Sequence, residues 1–182
     1  MLNLDINSRK ITDISKEFAA SSAQISAAYA RALRRTAGTI RRIASKGLQS
    51  ELGLKNASAL RRRIKEYRLK GRAGKMGVQL WFGANDLPLS AFKGRPRKVA
   101  GGVDFNGQVI HGAFMASPSG GPKKVYKRAG KTKYPIKEVM APVADRIVVF
   151  LEDNVFVDVE SIFFKNFLAE IKARTIFGVG NV

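Results

Sequence analysis

The sequence predicts an α+β protein: a long N-terminal amphipathic helix, a second basic helix, an antiparallel β-sheet, and a C-terminal helix packed on that sheet. Three observations carry this expectation. Apolar residues recur at helical spacing from Ile11 to about Lys46, and again from about Val155 to Arg174. Between them, from Val78 onward, short runs of β-formers are broken by glycine, proline and an Asn-Gly pair. Strands segregated from helices in this way argue against a parallel α/β sheet.

In the first segment Ile25, Tyr29, Ala32, Leu33, Thr36, Ile40 and Ile43 fall in one arc of about 100°, while Arg31, Arg34, Arg35, Arg41, Arg42 and Lys46 fall on the other side. Ser21-Ser22 bends or splits this helix, and Gly47 is the expected C-cap. A shorter helix is predicted from Asn56 to Tyr67, capped by Asn56 or Ser58, with Leu60, Ile64 and Tyr67 inward. Arg61, Arg62, Arg63, Lys65 and Arg68 then face out. KGRAGKMG ends the helical pattern with three glycines.

Val78–Phe82 reads as a strand, and Leu87-Pro88-Leu89 as a short extended piece that proline keeps from the centre of a sheet. Asn106-Gly107 between two alternating runs marks a hairpin. Ala113–Ala116 is a further strand, SPSGGPKK a loop, and residues 125–136 a strand, turn and extended exit. RIVVFL at 146–151 is either a short buried strand or the start of a helix. Residues 1–75 thus form a basic helical arm, and residues 76–182 the sheet with its final helix, the two integrated as one domain.

Hydrophobic content of 45% is ordinary for a folded chain, but a net charge of +19 is not. Such a chain repels itself unless a polyanion, an acidic protein or an assembly partner neutralises it. From Arg31 to Lys75 there are fifteen Lys or Arg against two acids, Glu51 and Glu66. From Ala144 onward Asp145, Glu152, Asp153, Asp158, Glu160 and Glu170 outnumber Arg146, Lys165, Lys172 and Arg174. A molecule with one strongly cationic and one mildly anionic end can join its own copies head to tail.

The chain has no cysteine, which excludes disulfides, thiolate metal sites and a cysteine nucleophile. No apolar run reaches the roughly 18 residues of a membrane span. MLNLDINSRKITDIS lacks the basic start and apolar centre of a secretory signal, so a soluble protein used without export is expected. The single histidine, His111, has no second histidine to share a metal and reads as a strand-end residue. Asp104 has no carboxylate partner nearby in sequence, and Asp145, Glu152 and Asp153 read as a charged helix start. GKMGVQLWFG and SPSGGPKK lack the phosphate-loop arrangement. No catalysis and no cofactor is expected.

Nucleic acid carries more weight. The arginine face of the first helix and the Arg61-Arg62-Arg63 run can pair with phosphates, giving salt-dependent affinity without base readout. They can equally meet acidic protein, and no zinc finger, RNP motif or GXXG loop accompanies them. VYKRAGKTKYPIKEVMAPV, residues 125–143, adds a basic turn: Lys127, Arg128, Lys131 and Lys133 are expected to face a partner while Tyr134 and Ile136 anchor it.

Taken in order, three segments resemble the prophage minor tail protein Z family, the tail completion proteins of long-tailed phages. They are ARALRRTAGTIRRIASKGLQSELGLKNASALRRRI, LWFGANDLPLSAFKGR and GAFMASPSGGPKKVYKRAGKTKYPIKEVMAPV, together spanning about residues 25–143. The chain departs from that pattern at Met140-Ala141-Pro142-Val143, where a glycine before the proline and a serine after it are expected. The resemblance implies a virion component at the head-proximal end of the tail, without catalysis. It also implies a ring, six-fold to match a tail tube, beside the tail terminator, tape measure and neck proteins, close to the DNA. The runner-up is a free-standing, nonspecific nucleic-acid-binding protein. Under either reading the binding residues are Arg31, Arg34, Arg35, Arg41, Arg42, Arg61, Arg62, Arg63, Lys127, Arg128, Lys131 and Lys133.

Overall fold

A computed structural model describes residues 6–70, 76–118 and 120–180. The KGRAGKMG break lies largely outside the described residues, as do the cations Arg72 and Lys75. The predicted first helix is two helices. Helix α1 (Ser8–Glu17) is capped by Asn7, whose side chain accepts from the Arg9 and Lys10 amides, and it ends at Phe18. Helix α2 (Ser22–Glu51) starts at a capping box: the Gln24 amide donates to Ser21 Oγ, and the Ser21 amide donates back to Gln24 Oε1 at 2.9 Å. The Ser21-Ser22 pair therefore splits the helix rather than bending it.

Gly47 does not cap α2. It sits inside the helix, where an added Cβ would lie 2.3 Å from the Phe150 ring, so its missing side chain lets that ring press on the backbone. The terminating glycine is Gly53 (φ +65°), with the Leu54 amide donating to Gln49 O at 2.9 Å and Leu54 fully buried beyond it. Ile43, expected on the inner arc, is exposed, while Ala44 and Leu48 take the buried positions.

The second basic helix is corrected by the structure. Only one turn forms, α3 (Ser58–Arg61), and the chain then enters strand β1 (Ile64–Lys70). Leu60 and Ile64 are buried as expected, but Tyr67 is exposed. The reason is tertiary: strand β2 (Met76–Phe82) needs a partner for its peptide groups, and β1 pairs with it antiparallel from Ile64↔Phe82 to Lys70↔Met76. The i, i+4 spacing of Leu60 and Ile64 mimics a helix because the first residue ends a turn and the second begins a strand.

Among the described residues the expected sheet is four small ones. Besides β1–β2, strand β3 (Leu87–Pro88) pairs with β10 (Met140–Ala141). Strands β4 (Arg97–Val99), β5 (Gly102–Phe105) and β6 (Gln108–His111) form a meander. So do β7 (Ala113–Ala116), β8 (Lys124–Arg128) and β9 (Ile136–Glu138). Asn106 and Gly107 both have positive φ and close the two-residue hairpin Phe105↔Gln108, as their sequence announced. Leu89, Val103, Phe105, Ala113 and Val125 form the core of this β half.

RIVVFL proves to be helical, within α4 (Ala144–Asn154), and a 3-10 turn leads on to α5 (Val159–Thr175). Asp145 does sit in the first turn of α4, but Glu152 and Asp153 lie in its last, so they do not mark a helix start. Helix α4 covers β2 and the second half of α2, burying Ile147 and Leu151 with Ile40, Ala44, Leu48, Leu60, Ile64, Leu87 and Val143. That core draws on both sides of residue 75.

The C-terminal helix rests on helices more than on the sheet. Its first turns, through Val159 and Ile162, reach the core that includes Leu80 and Phe82. From there Phe163, Phe164, Phe167 and Ile171 lie against Ala28 and Ala32 of α2, with Ile11, Ile14 and Phe18 of α1 closing over them. Alanines on α2 leave room for the phenylalanines of α5, which is why a helix so rich in alanine and arginine can still form a tight contact.

Candidate nucleic-acid and partner interface

Helical spacing aligns Arg31, Arg35, Arg42 and Lys46 along the outer side of α2, over about 23 Å. All of these side chains are exposed, as are Arg34 and Arg41. The ridge is nonetheless two different sites.

At its N-terminal end the arginines converge on Glu170 of α5, a buried carboxylate. Arg35 Nη1 donates to Glu170 Oε1 at 2.8 Å, Arg31 Nε stands 3.5 Å from the same oxygen, and Arg174 Nη1 donates to Oε2 at 2.6 Å. Arg174 is itself buried. Burial alone would raise the Glu170 pKa, but the hydrogen bonds from Arg174 and Arg35, with the charges of Arg174 and Arg31, overcome it and hold the group below the usual carboxylate range. Arg31 and Arg35 thus fasten α2 to α5 while their outer atoms stay in water. Asn166 Nδ2 donates to Thr36 Oγ1 at 3.0 Å beside them.

At the C-terminal end the surface is open. Arg41, Arg42, Ser45 and Lys46 of α2 face Asn56, Ala57, Ser58 and Arg61 around α3, lining two adjoining hollows of about 410 and 460 Å³. Among the described residues none of Arg41, Arg42, Lys46 and Arg61 has an ion-pair partner. Four cations and three small polar side chains come together here, with no acid among the described lining residues. Sequence reasoning named Arg41, Arg42 and Arg61 as binding residues and put Lys46 on the same helix face; Ser45 and Asn56 join them because the chain turns back at Gly53 and places α3 beside α2.

The remaining predicted residues divide. Arg62, next in the chain to Arg61, is exposed but does not line the groove. Arg63 is half-buried and structural: its guanidinium donates to Asn85 O and, at 2.8 Å, to Asp86 O, closing the base of the β1–β2 ribbon. Lys127, Arg128, Lys131 and Lys133 are exposed on β8 and the β8–β9 turn, outside the lining of the α2–α3 groove. Arg128 hydrogen-bonds Lys133 O and lies 5.3 Å from the Phe114 ring centre, so it shapes the turn it decorates. Tyr134 is exposed rather than an anchor, and only Ile136 turns inward. Glu138, the acid in this stretch, accepts from Ser90 Oγ and from Lys124 Nζ at 2.9 Å, and that bond and its charge raise the Lys124 pKa. His111 is an exposed strand end, as its position suggested.

The family model for prophage minor tail protein Z (GPZ) matches residues 10–176. The chain belongs to the prophage minor tail protein Z family. Its match runs from α1 to the last turn of α5, so the Glu170 cluster, the open groove and the β8–β9 turn all fall within the minor tail protein Z region. No curated protein and no solved structure matches the chain. The family is one of phage tail structural proteins, and among the described residues no helix is long and apolar enough to cross a membrane.

Proposed function

We propose that this minor tail protein acts without catalysis at the head-proximal end of the tail, as a ring that completes the tail for joining to a head. The partners in that setting are further copies of the chain, the tail terminator, tail tube or tape measure, and the neck proteins. The observation that carries the reading is the open groove of Arg41, Arg42, Lys46 and Arg61, which concentrates cations that no described residue neutralises. A channel that passes DNA supplies phosphates to such a groove without requiring base recognition. The β8–β9 turn offers a second basic surface for a protein neighbour.

Negative-stain microscopy of the purified protein with its tail partners tests the proposal. Rings, or added density at the tail end, support it. A monomer that shifts DNA at physiological salt and has no affinity for tail proteins overturns it in favour of a free nucleic-acid-binding protein.

A further inference from the structure

Two apolar features at different ends of the molecule stay uncovered among the described residues. The first follows α5. Phe177 is 75% exposed, and Ile176 and Val179 beside it are also exposed. Their backbone is tied down all the same: the Ile176 amide donates to Lys172 O and the Val179 amide to Ala173 O, each at 3.0 Å, with Gly178 at φ +64° making the turn. Hydrogen bonds hold the peptide in place while the side chains stay in water, giving a fixed apolar knob. Exposed Lys172 stands one turn before it.

The second feature is a groove of about 520 Å³ between β2 and α4, within the size range of pockets that bury a compact ligand. Trp81, Phe82, Val148, Leu151 and Phe156 line it, with Glu152 on its rim. Trp81 is 42% and Val148 46% exposed, so the groove is unfilled. Asp153, next along α4, is exposed as well. Glu152 and Asp153 have no ion-pair partner among the described residues.

The knob cannot be the groove's occupant in its own chain. Helix α5 begins at the α4 corner, where Val159 joins the core containing Leu151, and its 17 residues carry the chain about 25 Å away. At the far end the Arg174 carbonyl accepts from Gln24 Nε2 near the start of α2, fixing the knob there. A second copy is under no such constraint. A lysine stands beside the knob and two carboxylates beside the groove, so the pair is complementary in charge even though Lys65 also lies 5.5 Å from the Trp81 ring centre.

We propose that the Ile176–Val179 knob of one copy seats in the β2–α4 groove of the next. Because knob and groove are different surfaces, the contact is head to tail, and repeating it closes a ring or extends a filament. Three apolar side chains bury less than a standard interface, so one contact is weak and closure strengthens it. As a ring contact this rests on the reading above, but its test needs no tail protein or DNA. Its failure therefore leaves the role of the basic groove standing, and failure of the tail assay leaves this contact standing.

Sedimentation equilibrium of the full chain, at an ionic strength that screens its self-repulsion, provides the test. The wild-type average mass should rise with concentration above the 19.9 kDa of one chain. Phe177→Asp and Val148→Asp, both at exposed positions and checked for folding by circular dichroism, should each stay at 19.9 kDa. Mixed in equal amounts they should associate more weakly than the wild type, with an average mass that rises with concentration toward twice that value and never beyond it, since each keeps the half that the other lacks. Trp81 is the chain's one tryptophan, so the same mixing should shift its emission to the blue. A wild type that stays monomeric, or either variant associating as the wild type does, overturns the proposal.

Discussion

Replacing Glu170 with Gln removes the carboxylate that joins α2 to α5 while keeping its size. The dominant loss is at Arg174, whose buried guanidinium donates to Glu170 Oε2 at 2.6 Å and would lose that charge partner. Removing one member of a buried ion pair costs about 3–5 kcal/mol. Arg31 and Arg35 have side chains 60% and 55% exposed, so water compensates them and they add at most about 1 kcal/mol. Arg174 keeps its bond to the Glu170 carbonyl and a further contact, so the expected loss is at the low end, about 3 kcal/mol. For a chain of this size that lowers Tm by roughly 6–12 °C, at about 2–4 °C per kcal/mol. Differential scanning calorimetry at neutral pH reads it directly.

The pH dependence gives a second handle on the same change. Glu170 has a lowered pKa when folded, so its contribution is fully present above the unfolded glutamate pKa. It is lost as pH falls through the folded value, when the wild-type carboxyl takes up a proton and approaches Gln in charge. The wild-type advantage should thus persist at pH 5 to 7 and shrink below about pH 4. The double variant Glu170→Gln/Arg174→Met should recover part of the loss, because no buried charge remains. An unchanged Tm at neutral pH, or a gap that does not narrow in acid, refutes the assignment of Glu170 as an ionised clamp.

Other expectations follow from single observations. Gly47→Ala should destabilise by a net cost of about 1 kcal/mol, read as a lower urea midpoint, since displacing the Phe150 ring outweighs the helix gain. Gly38→Ala, where an added Cβ meets nothing within 4 Å, should instead stabilise by about 0.5–1 kcal/mol. Replacing Arg41, Arg42 and Arg61 with Ser should weaken DNA binding across all sequences. It should also flatten the dependence of log K on log salt by about 2.7, measured by fluorescence anisotropy. A sequence-dependent loss would contradict backbone contact. Replacing Lys127, Arg128, Lys131 and Lys133 with Ser should leave a folded monomer that fails to complete tails in an infectivity assay, and full infectivity would rule out a docking role for that turn.

Much of the fold was legible because the deciding signals are local. Asn106-Gly107 specifies a hairpin through its own backbone preferences, and Ser21 with Gln24 specifies a helix start through mutual side-chain bonds. The misreadings share the opposite property. Gly47 looks like any helix-ending glycine until Phe150, about a hundred positions away, is seen against it. Residues 62–67 carry a helical rhythm that the pairing of β1 with β2 overrides. The candidate site divides in the same manner. The arginine ridge could be read from periodicity, but its two ends differ only because Glu170 approaches one and α3 the other.

The sequence alone therefore determined the class of the protein, its helical face of arginines, its lack of cysteine chemistry, and a collinear set of segments similar to the tail family. Those depend on composition and on spacings within one element. Only the tertiary structure decided which cations are spent holding α2 to α5 and which remain available, which apolar residues stay uncovered, and where α5 lies. Such outcomes are set by contacts between residues far apart in the chain, whose partners no local spacing names.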